Sequence, residues 1–213
     1  MKYLFKEKKF IYLISILISF QCLIYFLTKL FQNNYHLLES KIDLYIPFIP
    51  YFVYFYISWY LTLILIPYLL YLKDKLMFYK YYLSYILTTI ISGIIYIIYP
   101  TKILRPSIIP NNISTFLVNI IYKLDNPPIN LLPSMHCSFC FLFIFSTLLN
   151  KNIEKKYRII ILILSILIIL STLFIKQHLL IDILASFIIS SLTFILVKHT
   201  KLNQVLIRLN LVK

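Results

Sequence analysis

Glycine is almost missing from this chain. Gly93 stands alone among 213 residues, so no serine is flanked by glycines as in an intramembrane serine protease, and a Ser134–His178 protease pair is set aside. Cysteine is scarce as well. Cys22, Cys137 and Cys140 all fall inside apolar segments, which implies no disulfide framework. Cys137-x-x-Cys140 has the spacing of a redox or zinc motif, but with no second pair beside it both thiols are read as packing residues. Charge is the third shortage. Charged residues make up 13% of the chain, against about 25% in a soluble domain. Hydrophobic residues make up 61%, with mean hydropathy +0.88. A soluble globule is excluded; the composition is that of an all-α, polytopic integral membrane protein whose length suits a single domain, residues 1–213. No cleavable signal peptide is expected, because the basic start is followed by a long apolar run with no small-residue cleavage site.

Windows of roughly 20 apolar residues, the length of a bilayer-crossing helix, mark six spans: 10–30, 45–72, 81–99, 132–149, 159–175 and 179–197. The second is overlong and holds Pro47, Pro50 and Pro67, so an irregular start and a kink are expected there. Basic residues orient the bundle. Fifteen of the 21 lie on one side: Lys2, Lys6, Lys8 and Lys9, then Lys73, Lys75 and Lys80, then Lys151, Lys155, Lys156 and Arg158, then Lys198, Lys201, Arg208 and Lys213. Lys29, Lys41, Lys102, Arg105, Lys123 and Lys176 lie on the other. Both termini are therefore expected in the cytoplasm of a cell-membrane protein. The net charge of +14 is read as an anchor to anionic headgroups, with no nucleic-acid partner.

The outer side carries one long connection, 100–131, and six of the nine prolines lie between Pro100 and Pro133. Connections of this length are usually functional or disordered. Its apolar stretch 113–122 suits a short interfacial helix.

Three pieces of chain meet at this outer level. Lys102 and Arg105 follow the third span, Ser134 and His136 open the fourth, and Lys176 and His178 lie between the fifth and sixth. Asp182 is one turn into the sixth, the only one of seven acids placed well inside a span. Such a group costs about 2.5–3.5 kcal/mol near a helix centre and calls for a partner. His178 stands at i,i+4 to it, which on one helix face joins the two side chains. A carboxylate there holds one imidazole nitrogen protonated and frees the other as nucleophile or base, although a buried structural pair has the same spacing. Ser134 suits a helix N-cap, with free amides behind it for an anion. Two histidines, one carboxylate, cations and a helix N-terminus suit a phosphate. They suit a metal poorly, because Mg²⁺ wants more carboxylate oxygens. No metal or other cofactor is expected.

In these residues the chain resembles the type 2 phosphatidic acid phosphatase superfamily of membrane lipid phosphatases and phosphotransferases. Its three signatures are Lys-x6-Arg-Pro, Pro-Ser-Gly-His and Ser-Arg-x5-His-x3-Asp. They appear here as Arg105-Pro106, as Pro133-Ser134-Met135-His136, and as Ser171-x6-His178-x3-Asp182. Ile98 stands where the first has lysine, Met135 where the second has glycine, and Thr172 where the third has arginine. The run Asp125-x-Pro127-x-x-Asn130-x-x-Pro133-Ser134-x-His136, together with Lys176-Gln177-His178, looks more like the branch of inositol phosphorylceramide and sphingomyelin synthases. The resemblance implies a lipid phosphate or pyrophosphate substrate held in the bilayer and a site facing out of the cytoplasm. It implies His178 as nucleophile oriented by Asp182, and His136 as acid then base. Arg105 and Lys176, with Lys102 and Ser134, are the implied phosphate holders. Headgroup transfer to a lipid alcohol is the second reading. A channel or transporter is the third, and it predicts polar residues spread through the spans.

Overall fold

The structure is a computed structural model and describes residues 2–199, with side chains from Lys8 onward. Lys201, Arg208 and Lys213, counted above as inner-side charge, lie outside the described residues. Eight helices are described: α1 (Lys2–Lys29), α2 (Lys41–Tyr45), α3 (Val53–Lys73), α4 (Lys75–Ile98), α5 (Ile113–Leu124), α6 (Met135–Thr147), α7 (Lys155–Phe174) and α8 (Leu180–His199). Two short parallel strands, β1 (His36–Leu37) and β2 (Thr101–Lys102), pair across one end of the bundle. Five stretches are long and apolar enough to cross a membrane: Lys8–Lys29, Pro50–Lys73, Lys75–Ile98, Lys155–Phe174 and Leu180–His199.

The fourth expected span differs. Instead of filling 132–149, α6 has 13 residues, about 20 Å at 1.5 Å per residue. Pro133 lies before its start, Ser134 caps it by accepting the Cys137 N–H at 3.3 Å, and a turn at Asn150 follows its end. The second expected span does begin irregularly, with α2, an extended stretch and a 3-10 turn at Pro50–Phe52. Pro67 lies within α3, which continues unbroken to Lys73.

The connections sort into two ends. At one, Asp74 caps α4 through the Met77 N–H at 2.9 Å and accepts from Asn152 at 2.9 Å. At the other, the β1–β2 pair, the 100–131 connection and the α7–α8 turn come together; the Ile49 N–H donates to Phe174 O at 2.9 Å. With its flanking turns, α6 runs from the second end to the first.

α6 is the hub, packed against α4, α7 and α8. Phe139, Phe143, Cys137 and Cys140 are fully buried there, and the Phe139 ring stacks on Tyr85 of α4 at 3.8 Å. The cysteines are free thiols. A hydroxyl seam ties the hub to α8 and α8 to α4. Ser186 donates to Ser134 O at 2.9 Å, Ser190 to Ser138 O at 3.0 Å, and Thr88 pairs with Thr193 at 2.8 Å. In lipid such bonds and close packing hold helices together, each polar pair contributing on the order of 1 kcal/mol. Large apolar residues such as Leu61, Ile94, Ile163 and Leu192 are exposed on the outside of the bundle, a surface that suits acyl chains. Gly93 sits where α4 meets α1: a Cβ there would lie 2.5 Å from Ile24 Cγ2.

With glycine used at that crossing, left-handed backbone falls to other residues. Asn34, Asn130 and Lys176 have φ of 58°, 64° and 52°. Asparagine tolerates this region; lysine seldom adopts it.

Candidate active site

The α7–α8 turn sets the site. Gln177 N–H donates to Thr172 O at 2.8 Å and Lys176 N–H to Leu173 O at 2.9 Å, a Schellman closure with Lys176 as its left-handed residue. The Lys176 ammonium donates to Asp43 O at 2.9 Å and Ile46 O at 2.6 Å. Those bonds offset the backbone cost. Asp43 Oδ1 in turn accepts the first amide of α8, Leu180 N–H, at 2.9 Å. Burial opposes ionisation of Asp43, but hydrogen bonds from Ser40 and Leu180 and the Lys176 charge hold its carboxyl below the usual range.

His178 lies between these two anchors. It precedes α8 and so does not share a helix face with Asp182, contrary to the expectation from the i,i+4 spacing. The Schellman closure ends α7, and α8 starts at Leu180. The pair forms nonetheless: His178 Nδ1 is 3.3 Å from Asp182 Oδ2, which also accepts Leu179 N–H at 2.8 Å. Asp182 is 0% exposed, and this double use fixes the carboxylate as both helix cap and imidazole partner.

His136 comes from the first turn of α6. Its ring lies between Tyr56 and Trp59 of α3, at 4.6 and 4.1 Å between centroids, and 5.9 Å from the His178 ring. His136 Nε2 is buried with no hydrogen-bond partner. Both imidazoles line one cavity of about 280 Å³, whose walls also include Tyr25, Tyr96, Asp125, Met135 and Gln177. Tyr96 fixes the approach to α6 by donating to Pro133 O at 2.6 Å.

The charged side of the cavity is built around Asp125. Arg105 donates to Asp125 O at 2.9 Å, to Asp125 Oδ2 at 2.5 Å and to Gln177 Oε1 at 2.7 Å. Lys29 lies 3.2 Å from Asp125 Oδ1, which the Tyr25 hydroxyl also reaches. Burial would raise this carboxyl; the Arg105 charge, hydrogen bonds from Tyr25 and Arg105, and Lys29 hold it below the usual carboxylate range. α5, the helix expected from 113–122, supports the cluster. Its Tyr122 ring lies 4.8 Å from the Arg105 guanidinium, and its hydroxyl donates to Ile175 O at 2.8 Å.

The expected site residues thus fall into groups. His136 and His178 share the cavity, with Asp182 directly behind His178. Arg105 stands behind Asp125 and Gln177, and the Ser134 hydroxyl is engaged in capping α6. Lys102 lies on β2, with its backbone paired to Leu37 and bridged to Ile129, and lines no part of the cavity. Lys176 is placed on two carbonyls, also outside the lining. Tyr56, Trp59, Tyr25, Lys29 and Gln177 were not anticipated as site residues. The sequence offers few signals for them: Trp59 is the only tryptophan, and Gln177 lies between two flagged residues. Among the described residues, no three His, Cys, Asp or Glu side chains converge as a metal-ligand set.

The family model of the PAP2 superfamily matches residues 78–205. That stretch holds Arg105, Asp125, Ser134, His136, Gln177, His178 and Asp182, and leaves out α1 and α3, which add Tyr25, Lys29, Tyr56 and Trp59. Neither a curated protein nor a solved structure matches the chain.

Proposed function

Since the chain belongs to the PAP2 superfamily, a family of phosphoryl-transfer and hydrolytic enzymes, we propose that it is a membrane phosphatase of lipid phosphates or lipid pyrophosphates. The observation that carries this reading is two imidazoles on one cavity, 5.9 Å apart, one of them held at Nδ1 by a buried carboxylate. In the first step His178 Nε2 bonds to phosphorus as the bond from phosphorus to the leaving oxygen breaks. His136 gives that oxygen its proton. Asp182 stabilises the positive charge that develops on His178. In the second step the neutral His136 takes a proton from water, the water oxygen attacks phosphorus, and the P–N bond breaks to release phosphate. Both histidines return to their starting states.

A lipid hydroxyl in place of water makes the same intermediate a transferase. Met135 lines the cavity where the phosphatase signature has glycine, and this favours the second reading. The channel reading fits less well, because several buried hydroxyls within the bundle, such as those of Ser186 and Ser190, are engaged with backbone carbonyls. The chain passes between the two ends of the bundle six times, with both termini cytoplasmic and the cavity at the extracytoplasmic face. The basic residues at the Asp74 end support that orientation.

The test is purified protein against a panel of lipid phosphates, with and without a lipid alcohol, reading free phosphate and new phosphodiester together. His178→Ala should abolish both products and the acid-labile phosphoenzyme; wild-type turnover in that variant removes the nucleophile. Activity should survive EDTA, and a loss restored by Mg²⁺ would replace this metal-free chemistry. A tag at either terminus should be reachable only from the cytoplasm.

A further inference from the structure

Gln177 is 1% exposed, lines the cavity beside both histidines, and leaves its Nε2 buried with no hydrogen-bond partner. Its orientation is chemically determined. The guanidinium of Arg105 has only donors, so the amide atom it faces at 2.7 Å is the oxygen, and the NH₂ is the other end. An unmade buried donor is costly and calls for an explanation. The bond from Arg105 polarises the amide and makes its N–H₂ a stronger donor.

We propose that Gln177 is a catalytic residue: its side-chain N–H₂ binds a non-bridging phosphoryl oxygen of the substrate while His178, the next residue, attacks phosphorus. The inference rests on the phosphohistidine reading. It gives Gln177 the phosphate-holding role implied for Lys176, in a chain where Thr172 stands in place of the third-signature arginine. The left-handed turn at Lys176 explains the change of residue. It takes the Lys176 side chain to Asp43 and Ile46 and leaves the next two side chains, Gln177 and His178, lining the same cavity. Arg105 then acts on the phosphate through the amide, with its own charge matched by Asp125.

Two variants test this in purified full-length protein: Gln177→Met, which keeps the bulk and removes the donor, and Gln177→Glu, which keeps an oxygen for Arg105 and sets a carboxylate against the phosphate. Loss of an oxyanion donor lowers kcat by about 10²–10³-fold, and both variants should show that loss. Inhibition by orthovanadate should weaken at least tenfold. The thio effect, the rate ratio between a lipid phosphate and its phosphorothioate analogue, should shrink, a signal that a merely structural amide does not move. Turnover within threefold of wild type in Gln177→Met overturns the proposal. So does a lowered rate with wild-type vanadate inhibition and an unchanged thio effect. Where Gln177→Met fails to fold, Gln177→Glu decides by the same criteria. His178→Ala run in parallel separates the two ideas: residual turnover there sinks the phosphohistidine, whereas a dead His178→Ala beside an unimpaired Gln177→Met sinks only the amide.

Discussion

In the proposed mechanism His136 has the most to do with the fewest bonds. Its Nε2 meets no acceptor, and its position comes from two aromatic faces and the start of α6. A proton carrier benefits from that freedom, because no standing hydrogen bond has to break before transfer. His136→Asn should therefore slow hydrolysis of an alkyl lipid phosphate by about 10²–10⁴-fold, but slow formation of the phosphoenzyme from an aryl phosphate far less, since a phenolate departs without a proton. Rapid-quench measurement of the two substrates checks this; equal slowing of both would remove the acid role. At this scale the sequence was readable where chemistry depends on identity and order. His136, His178 and Asp182 converge as their motifs predict. It was opaque where chemistry depends on a single backbone angle. At positions 176 and 177 the cation was the natural choice for a phosphate, but the left-handed turn engages the lysine elsewhere and leaves the amide at the cavity.

Among the elements, the α7–α8 turn is held from outside the part of the chain that matches the family. Asp43, Ile46 and Ser40 belong to the segment between α1 and α3, and they brace Lys176 and Leu180 on either side of His178. Lys176→Met removes two charge-assisted hydrogen bonds, each worth about 1.5–3 kcal/mol, and keeps a side chain on left-handed backbone. Lys176→Gly removes the same bonds but relieves a backbone cost of about 1–2 kcal/mol. Both variants should unfold at lower temperature than wild type in detergent, with methionine the worse, and both should lose kcat. Equal melting of Lys176→Gly and Lys176→Met would show that the backbone angle carries no cost. The prolines of 45–52 announced an irregular start in the sequence. That this irregular stretch braces the turn carrying His178 came only from contacts across 130 or more residues, which no local pattern encodes.

For the whole molecule, one crossing depends on one missing atom group. Gly93→Ala would place a methyl 2.5 Å from Ile24 Cγ2, and a β-branched side chain in a helix has little freedom to yield. The cost should be about 1–3 kcal/mol, seen as a lower unfolding temperature, and Ile24→Ala in the same chain should restore most of it. No recovery in the double variant would place the strain elsewhere. The helical class and most span positions were legible from apolar runs, because lipid demands them. The length of α6 was not: residues 132–134 and 148–149 are as apolar or as small as the helix itself, and Pro133 and the Asn150 turn set its ends.

On the proposed lipid-phosphatase reading, that 13-residue helix makes membrane thickness one of the enzyme's working parameters. At about 20 Å it is shorter than a hydrocarbon core of about 30 Å, so on that reading a lipid headgroup would reach His136 only by sinking, or where the surrounding lipid thins to meet it. Thinning is cheap in short-chain bilayers and dearer in long-chain ones. Turnover in vesicles should accordingly fall as host acyl chains lengthen from 14 to about 22 carbons, at constant surface charge and substrate fraction, whereas in detergent micelles the same substrates should show no such trend. A flat profile in vesicles would mean that the headgroup never has to descend.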